Sequence, residues 1–423
     1  MEKRTRVVVV GAGFGGLWAA LELAKSPVDV LLVDRNNYHT FLALLYQVAA
    51  AELGGEQIAY PVRGILRGLD NVRFALAEVE GLDIENRVVI TDGPALPYDH
   101  LIISTGTIPH YFGIPGAQEN SFALKTLEQA IILRNHVLSS FERAIYSPSA
   151  ELRKQLMTVV IVGGGATGVE FAGALSELVR GPLKKDYRSL DLQEVRILLL
   201  EARNHLLPGM PEKLQAYAAD RLRRMGVEVH FDSPVSQVGP ESVMLKDGTV
   251  IPTETTVWTA GVSGDEQIAR WGLPTVRGSR VPVLSTLQVP EHADLYVIGD
   301  LAYFEQDGEV LPMVAPVAIQ QGVAAARNIV RRLSGEEQKP FRYRDPGMMA
   351  TIGRNAAAVK LGRWTSTGFL AWILWVGVHL LRLVGFRNRV LVLVNWAWDY
   401  FLFERAVRVI LPTSKRRLDR DKE

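Results

Sequence analysis

The chain has 423 residues, of which 48% are hydrophobic, and its formal net charge is only +1. This length and apolar content can fill the cores of two or three domains, which excludes a disordered polymer. The sequence contains no cysteine, which excludes disulfides, cysteine-ligated metal or iron–sulfur sites, and electron transfer through a redox-active cysteine pair.

The chain begins with the sequence pattern of a dinucleotide-binding unit. Val7–Val10 is a β-branched run typical of a central parallel strand, and Gly11, Gly13 and Gly16 follow it in G-x-G-x-x-G spacing. A helical apolar pattern and a second apolar run come next, ending at Asp34, 18 residues after the last glycine. In such units the glycines admit a pyrophosphate, the helix N-terminus binds it, and the acid binds a ribose. We therefore predict a dinucleotide site here; the alternative is an ordinary tight turn in an α/β domain.

The same pattern recurs about 150 residues later in the chain. Thr158–Val162 is the strand, and Gly163, Gly165 and Gly168 are the loop glycines. The next apolar run ends at Glu201, 33 residues after the last of these glycines. The longer interval contains a polar stretch, for which we expect a longer helix and an exposed loop. The sequence predicts a second dinucleotide site.

Two further segments repeat in step with the glycine loops. Leu101–Pro109 and Thr256–Gly264 are each strand-like and end in a small-residue turn. Gly106 and Gly261 lie 155 residues apart, close to the 152 residues that separate the first glycines of the two loops. A whole unit is therefore repeated, and we expect an α/β fold with two Rossmann-like domains. The natural pair of ligands is a permanently held flavin dinucleotide and a visiting nicotinamide dinucleotide.

The segment Ala293–Phe304 indicates which loop holds which cofactor. It is an apolar run ending in Gly299 and Asp300, which places a carboxylate at the C-terminal edge of a sheet. This arrangement resembles the second flavin motif of the glutathione-reductase-like flavoproteins, whose FAD domain is discontinuous. The resemblance implies that FAD is bound by Gly11, Gly13, Gly16, Asp34, Gly106 and Asp300. It implies that the nicotinamide cofactor is bound by Gly163, Gly165, Gly168, Glu201 and Gly261.

The identities of the electron donor and acceptor follow in part from single residues. Glu201 accepts a hydrogen bond from a ribose 2′-hydroxyl and repels a 2′-phosphate, which favours NADH over NADPH, although Arg203 could weaken that preference. Transfer of a hydride to flavin needs alignment more than acid or base. Without cysteine, the acceptors left open are a quinone, a protein electron carrier and oxygen.

The C-terminal part of the chain is basic and rich in tryptophan. Residues 360–423 carry a net charge of +7 and the preceding residues −6, and five of the eight tryptophans lie between Trp364 and Trp398. Residues 364–381 form an uncharged run of borderline length for a bilayer span, and 390–411 is a second amphipathic candidate. We expect two helices lying in a membrane surface with arginines on anionic headgroups. The alternatives are buried core or dimer helices and a true span.

The sequence also bears on nucleic-acid binding, on the compartment of the protein and on metal sites. We expect no nucleic-acid binding, because the basic segment is rich in Trp, Leu and Val. The sequence MEKRTR runs directly into a strand pattern, which leaves no room for a signal peptide and favours the cytoplasmic face of the membrane. No metal site is predicted, because His39, Tyr46 and His379 have no partners at metal-ligand spacing.

Nearly from end to end, the chain resembles the type II NADH dehydrogenases, a family of non-pumping NADH:quinone oxidoreductases. The resemblance is carried by His39–Ala50, by GGGATGVEFAGAL, by Leu311–Gly322 and by Tyr343–Gly362. APVAIQQG is similar to the family motif A-Q-x-A-x-Q-[EQ] at the quinone site. Pro316 stands where many members have Gln, and the preferred quinone therefore stays open.

The resemblance implies tightly bound FAD, NADH as co-substrate and a membrane quinone as acceptor. It implies that Gln320 and Gln321 hydrogen-bond a quinone carbonyl, that Glu170 acts in charge or proton transfer, and that Lys360 lies near the quinone pocket. The alternatives are that Glu170 complements a helix dipole, that the glutamines cap backbone groups and that Lys360 is a solvated surface charge. A homodimer is possible.

The predicted domain organisation has four segments. Residues 1–115 and 265–345 form the two parts of the FAD domain, 116–264 form the NADH domain, and 346–423 form the membrane-surface segment. Two other functions are compatible with the sequence: a soluble NAD(P)H-dependent reductase of a carrier such as ferredoxin, and a flavoprotein that senses NADH without turnover.

Overall fold

The computed structural model describes residues 4–402, 405 and 407–411. It divides into two compact units, and each unit is built from three segments of the chain. The first unit comprises the chain up to Thr40, Tyr60–Ile108 and Val262–Pro346, and the second comprises Phe41–Ala59, Pro109–Gly261 and the chain from Gly347. The sequence-based division changes domain after residues 115 and 264, whereas the units change after Ile108 and Gly261. Residues 41–59 and the C-terminal segment belong to the second unit.

The first unit is built on a six-stranded sheet. Its strands lie in the order Gln288–Val289, His292–Val297, His100–Ile103, Arg6–Val10, Asp29–Asp34 and Val72–Leu76. All neighbours are parallel except the first pair. After Arg6, the central strand Arg6–Val10 consists of buried valines, as a parallel strand covered on both faces requires.

Two helices cover one face of this sheet. The first-loop helix, Phe14–Leu23, packs against Ala315–Leu333. A methyl group on Gly322 would lie 2.3 Å from the carbonyl oxygen of Gly15, so the two helix backbones are in direct contact. The opposite face is covered by a second apolar cluster that includes Tyr98, Ile268 and Trp271.

The remaining elements of the first unit are short. Its other helices are Val62–Ile65, Gln267–Arg270 and the 3₁₀ turn Gly299–Leu301. Its other strands are Tyr38–Thr40, Val79–Asp83, Val88–Thr91, Leu96–Pro97, Val262–Ser263, Val281–Pro282, Ala302–Tyr303, Glu305–Gln306 and Glu309–Val310, and the short strands Ala59–Pro61 and Ile108–Pro109 lie where the chain changes unit.

The second unit repeats the same sheet plan. Its five parallel strands lie in the order Phe122–Ala123, Thr255–Trp258, Thr158–Val162, Arg196–Leu200 and Val227–His230. In each unit the strand before the glycine loop is central. The strand that leads to Asp34 or Glu201 lies on one side of it, and the strand that leads to Gly106 or Gly261 lies on the other. The predicted repetition of a whole Rossmann-like unit is therefore confirmed.

The helix after the second glycine loop is longer, as its polar extension predicts. This second-loop helix, Ala166–Leu178, continues as a π-helical turn, Val179–Leu183, and then as Lys184–Asp186. Pro182 lies inside the π turn, where its missing N–H interrupts the regular α-helical pattern.

The other elements of this unit complete its layers. Its other helices are Leu42–Leu44 (3₁₀), Leu45–Ala49, Gly55–Ile58, Ala117–Asn120, Leu127–Ile145, Ala150–Leu156 and Glu212–Arg224. A three-stranded antiparallel sheet is formed by Val235–Val238, Ser242–Leu245 and Val250–Pro252.

The C-terminal segment of the second unit contains a second antiparallel sheet and two helices. Met348–Thr351, Ala357–Leu361 and Trp364–Gly368 form the sheet. The first C-terminal helix is Phe369–Arg382, and the second is Phe386–Leu402.

The uncharged run 364–381 is thus not one helix. Its first five residues pair as a strand with Ala357–Leu361, and Gly368, with φ +77°, ends that strand. The 14-residue helix that follows is about 21 Å long at 1.5 Å per residue, against about 30 Å of hydrocarbon in a bilayer. None of the helices among the described residues has the length and apolar character needed to cross a membrane.

Candidate functional site

The first glycine loop has the geometry of a phosphate cradle. Gly11 adopts φ +99°, which favours glycine, and a methyl group on Gly16 would lie 1.9 Å from the Gly11 carbonyl oxygen. The helix can therefore approach the strand only because residue 16 lacks a side chain. At Gly13 a methyl group would meet no atom within 4 Å, so the space at the start of the first-loop helix is open.

Asp34 is held against this loop by backbone hydrogen bonds. One carboxylate oxygen accepts from the Ala12 N–H at 2.7 Å and the other from the Asn36 N–H at 2.7 Å. Burial raises the pKa of Asp34, and the two backbone bonds oppose that rise. Each oxygen keeps a further lone pair, which suits a ribose hydroxyl.

Asp300 and Gly106 belong to the same sheet edge. Asp300 lies in the turn directly after the strand His292–Val297, and its carboxylate accepts from the Thr107 hydroxyl at 3.3 Å. Gly106 follows the neighbouring strand His100–Ile103 and has open space where a side chain would lie. Carboxyl ends of adjacent parallel strands are the usual position for a dinucleotide, and these residues fit FAD.

The second loop reproduces this geometry. Gly163 adopts φ +109°, a methyl group on Gly168 would lie 2.0 Å from the Gly163 carbonyl oxygen, and a methyl group on Gly165 would meet nothing within 4 Å. Glu201 accepts from the Gly164 N–H at 2.6 Å and from the Arg203 N–H at 2.9 Å. These residues fit a second dinucleotide.

Two hydroxyl groups that the sequence reasoning missed stabilise the two loops. The Ser104 hydroxyl contacts the carbonyl oxygens of Val10 and Gly11 at 2.8 and 3.0 Å. The Thr259 hydroxyl contacts those of Val162 and Gly163 at 2.9 and 3.0 Å. The signal was present in the sequence, because each hydroxyl lies two residues before a repeated glycine, Gly106 or Gly261.

Gly261 lies at the equivalent position of the second unit. It adopts φ +73°, the same value as Gly106. A methyl group there would lie 2.4 Å from the ring of Phe112, so the backbone passes directly against that aromatic side chain.

Glu170 is a buried acid on the second-loop helix. Its side chain accepts a hydrogen bond from the Thr351 N–H at 3.2 Å. Burial raises the pKa of Glu170 to about 8, while the Thr351 N–H and the indole N–H of Trp375 favour the charged form. A carboxyl group with such a pKa can hold and release a proton at neutral pH.

Glu170 lines a cavity of the second unit, which we call the acidic cavity. Its aromatic lining consists of Tyr46, Trp372, Trp375, Trp396 and Tyr400. Its carboxyl and guanidinium groups are those of Glu52, Glu170, Glu177, Asp399, Arg354 and Arg405. Apart from Glu170, none of these residues is assigned to a site by the sequence analysis, in which Tyr46 appears only as a residue without partners at metal-ligand spacing.

The other predicted catalytic residues lie elsewhere within their units. The Gln320 amide donates to the Arg344 carbonyl oxygen at 2.9 Å and accepts from its N–H at 3.0 Å. Gln321 is 1% exposed and accepts from the Gly299 N–H at 2.7 Å, next to Asp300. Lys360 does not line the acidic cavity, and its ammonium group lies 3.5 Å from the Gly209 carbonyl oxygen.

Three side chains singled out in the sequence, His39, Tyr46 and His379, are buried or half-buried. His39 contacts the Ala12 carbonyl oxygen at 2.9 Å, and Tyr46 contacts the Thr351 hydroxyl at 2.9 Å. His379 stacks on Trp375, and burial lowers the pKa of His379 to about 4. Over residues 4–402, 405 and 407–411, no three His, Cys, Asp or Glu side chains are grouped so as to hold a metal ion.

The two C-terminal helices expose apolar side chains to solvent. On the first helix Ala371 and Trp375 are buried, while Phe369, Leu370, Ile373, Leu374 and Leu381 are exposed. On and beside the second helix the exposed apolar residues are Phe386, Val390, Leu393, Val394, Trp398, Phe401 and Leu402. An apolar exposed surface of this extent indicates an interaction site.

Comparisons with known proteins agree with this geometry. Residues 5–322 match the family model described as pyridine nucleotide-disulphide oxidoreductase. The chain is 38% identical over 418 residues to the type II NADH:quinone oxidoreductase Ndh of Mycobacterium tuberculosis, covering 95% of this chain and 89% of the relative. It is 30% identical over 440 residues to the mitochondrial internal alternative NAD(P)H-ubiquinone oxidoreductase A1 of Arabidopsis thaliana, covering 96% and 86%.

A solved structure shares the fold. NDH2 of Plasmodium falciparum in complex with NADH superposes with a TM-score of 0.89 at 17% identity, covering 97% of this chain and 100% of the other. At that identity the likeness concerns the fold alone.

Proposed function

The chain belongs to the pyridine nucleotide-disulphide oxidoreductase family and, within it, to the type II NADH:quinone oxidoreductases, and on this basis we propose which residues bind each cofactor and the quinone. It is an FAD-dependent enzyme that transfers a hydride from NADH to FAD and two electrons on to a quinone, without pumping protons. The observation that carries this function is the pair of glycine loops, each closed by a carboxylate that accepts a loop N–H. Because the sequence has no cysteine, the disulfide chemistry in the family's name has no counterpart here.

The first unit holds FAD in this proposal. Gly11, Gly13 and Gly16 admit the pyrophosphate, Asp34 binds the adenosine ribose, and Asp300 binds the ribityl chain, with Gly106 leaving room at the same edge. FAD supplies the chemistry that accepts a hydride and releases electrons. Buried Gln321 is suited to position Asp300, because its amide oxygen fixes the Gly299 N–H.

The second unit holds NADH. Gly163, Gly165 and Gly168 form the phosphate cradle, Gly261 lies at the same edge of the sheet, and Glu201 accepts from the ribose hydroxyls. The carboxylate of Glu201 would repel a 2′-phosphate, and NADH is therefore the preferred donor.

Reduction of a quinone also requires protons and residues that hold the quinone ring in place. Glu170 is suited to supply a proton, because it is buried and titrates near neutral pH. Gln320 keeps one amide N–H beyond the one given to Arg344, and that N–H can bind a quinone carbonyl. Lys360 is proposed to place a positive charge near the quinone, as the resemblance to the family implies.

The C-terminal helices bind the membrane surface. Their exposed apolar residues enter the lipid, and Arg382, Arg387 and Arg389 lie on anionic headgroups at the cytoplasmic face. This peripheral attachment brings the enzyme to a lipid-soluble acceptor. A homodimer through the same helices is the competing use of this surface.

Stopped-flow mixing tests the function directly. Purified protein mixed with NADH should lose its yellow flavin absorbance and regain it rapidly when a soluble quinone is added. A protein that bleaches but does not reoxidise with any quinone would overturn quinone reduction. Rapid reoxidation by ferredoxin instead of quinone would favour the soluble reductase.

A further inference from the structure

The acidic cavity contains more carboxyl groups than cations. Four carboxyls line it, contributed by Glu52, Glu170, Glu177 and Asp399, against the two guanidiniums of Arg354 and Arg405. They come from well-separated parts of the second unit: the loop after Leu45–Ala49, the second-loop helix, the turn after the strand Met348–Thr351, and the second C-terminal helix with the residues that follow it. Other titratable side chains that face the cavity are Tyr46 and Tyr400.

Arg405 is the fixed centre of this cluster. It is 2% exposed, and its guanidinium donates to the carbonyl oxygens of Ala50 and Ala174 at 3.0 Å each. It also contacts the carboxylates of Glu52 at 2.5 Å and Glu177 at 3.3 Å. The second oxygen of Glu177 accepts from the backbone N–H of Arg354.

The unequal charges favour proton uptake by the cavity. Two guanidiniums can balance two carboxylates, and transferring further negative charge out of water is costly, so the remaining carboxyls bind protons. Burial raises the pKa of Glu170 to about 8, of Glu52 to about 7 and of Asp399 to about 6, with Arg405 opposing the last two. The cavity therefore holds exchangeable protons at neutral pH.

The carboxyl groups differ in their access to solvent. Glu170 is 8% exposed, whereas the side chains of Glu52 and Glu177 are 12% and 22% exposed and Asp399 is half-buried. Glu52 and Asp399, which we call the outer carboxyls, are in part exposed and can exchange protons with water, while Glu170 is largely shielded.

A polar wall connects the last helix to Glu170. Trp396 donates to the amide oxygen of Gln47 at 2.9 Å, and the Gln47 amide donates to the Tyr46 hydroxyl at 3.1 Å. The Tyr46 hydroxyl contacts that of Thr351 at 2.9 Å, and the Thr351 N–H donates to Glu170. Such a wall can order water between the outer carboxyls and Glu170.

We propose that Glu52 and Asp399, beside the guanidinium of Arg405, take up protons from solvent and pass them through the acidic cavity to Glu170. The proposal rests on the proposed role of Glu170 in quinone reduction. In the overall reaction NADH, one proton and a quinone give NAD⁺ and a quinol. The hydride contributes both electrons and one proton, so one proton per turnover must come from water. Glu170 gives that proton to the quinone oxygen, and the outer carboxyls then reprotonate it.

The test compares two acceptors in purified, FAD-loaded enzyme. Quinone consumes protons on reduction, whereas ferricyanide accepts electrons without a proton. Glu52→Gln and Asp399→Asn should each lower the ratio of the quinone rate to the ferricyanide rate about tenfold at pH 8. The fall of kcat with rising pH should begin at lower pH in both variants. Glu52→Asp and Asp399→Glu, which keep a carboxyl, should restore most of the ratio.

The controls separate the failure modes. Glu212→Gln changes an exposed acid on another helix of the same unit and should leave the ratio and the pH profile as in the unsubstituted enzyme. If the unsubstituted enzyme does not reduce quinone, the proposed function fails. If it does, and Glu170→Gln lowers the ratio while both outer variants leave it and the pH profile unchanged, the proton route is overturned. An equal loss with both acceptors, unrestored by the carboxyl-preserving variants, also overturns it, because it indicates a structural role only.

Discussion

Asp34 and Glu201 perform the same structural task in the two units. Asp34 ends, and Glu201 directly follows, the strand beside the glycine-loop strand, and each accepts the N–H of the residue after the first loop glycine at 2.7 or 2.6 Å. A carboxylate is favoured at this position because it accepts two backbone N–H groups and still has lone pairs for a ribose. The two acids therefore bind different ligands with the same geometry.

Replacement of Glu201 tests its proposed role in donor choice. Glu201→Ala should lower kcat/KM for NADH about tenfold, which corresponds to about 1.4 kcal/mol, and should narrow the preference for NADH over NADPH. The lost charge no longer repels a 2′-phosphate. Steady-state rates with both donors measure the effect.

Asp34→Ala is the matched control for this experiment. It should release FAD, measured as flavin fluorescence in the filtrate, without changing the NADH/NADPH ratio of the molecules that retain flavin. An unchanged donor ratio in the Glu201 variant would contradict the assignment.

The buried carboxyl of Glu170 makes stability depend on pH. Its pKa is about 8 in the folded chain against an ordinary value of 4.5, so between these values the folded chain keeps a proton that the unfolded chain releases. The free energy of unfolding therefore falls as pH rises from about 4.5 to 8, with a limiting slope of about 1.4 kcal/mol per pH unit. Glu170→Gln removes this contribution, and its stability relative to the unsubstituted chain should increase between pH 5.5 and 8.

Denaturant melts at several pH values check this prediction. The remaining carboxyls of the acidic cavity are present in both proteins, so the difference between the two curves isolates Glu170. Parallel curves would contradict the assigned burial effect. Glu212→Gln, at an exposed site, supplies the baseline.

Residue-scale prediction from sequence succeeded where the pattern was local. The two glycine loops were recognised because strand, glycines, helix and acid follow each other within about 40 residues. The acidic cavity was not recognised, because Tyr46, Glu170, Thr351 and Asp399 are brought together from segments up to 353 residues apart. No periodicity in the chain links such residues, and only the folded second unit shows that they meet.

At the scale of elements, close backbone approach fixes the crossing of two helices in the first unit. The first-loop helix and Ala315–Leu333 touch through Gly15 and Gly322. Gly322→Ala should destabilise the protein by about 2–3 kcal/mol, because the added methyl would lie 2.3 Å from a backbone oxygen that belongs to a packed helix. Chemical denaturation of the apoprotein measures the change without a contribution from bound FAD.

Gly181→Ala is the control for that substitution. Gly181 lies in the π-helical turn, and a methyl group there would meet no atom within 4 Å. Its stability should stay equal or rise slightly, since alanine restricts the unfolded chain. Equal destabilisation by the two substitutions would show that the helix contact is not the cause.

Elements were predicted best where burial is uniform and worst where two structures compete for one apolar run. Val7–Val10 and Thr158–Val162 are strands as predicted, since each is β-branched and buried throughout. The run 364–381 was predicted as a single helix, but Trp364–Gly368 is a strand. The threonines of this segment favour a strand because they can pair with Ala357–Leu361, and hydropathy alone does not predict that pairing.

At the scale of the whole molecule, opposite charges are segregated along the chain. Residues 360–423 carry a net charge of +7, and the rest of the chain carries −6. Attachment to lipid should therefore combine apolar insertion with attraction to anionic headgroups, at about 1 kcal/mol per basic residue near the surface. Binding to vesicles containing phosphatidylserine should exceed binding to neutral vesicles and should weaken as salt is added.

Leu370→Asp combined with Leu381→Asp tests the apolar part of this attachment. The two side chains are 72% and 71% exposed, and the charged replacements should reduce the vesicle-bound fraction more than about tenfold in flotation assays. Leu76→Asp, at a 58% exposed site in the first unit, should leave flotation unchanged. If instead the double variant floats normally but changes from dimer to monomer in light scattering, the helices serve self-association.

The empty space beside Gly13 and Gly165 gives the experimenter separate control of two ligands. A methyl group at either position meets no protein atom within 4 Å. Alanine there should therefore leave folding intact and occupy only the space proposed for the bound dinucleotide. A chain altered at residue 13 would emerge from purification colourless yet natively folded. One altered at residue 165 would emerge yellow and stay yellow in the presence of its reductant.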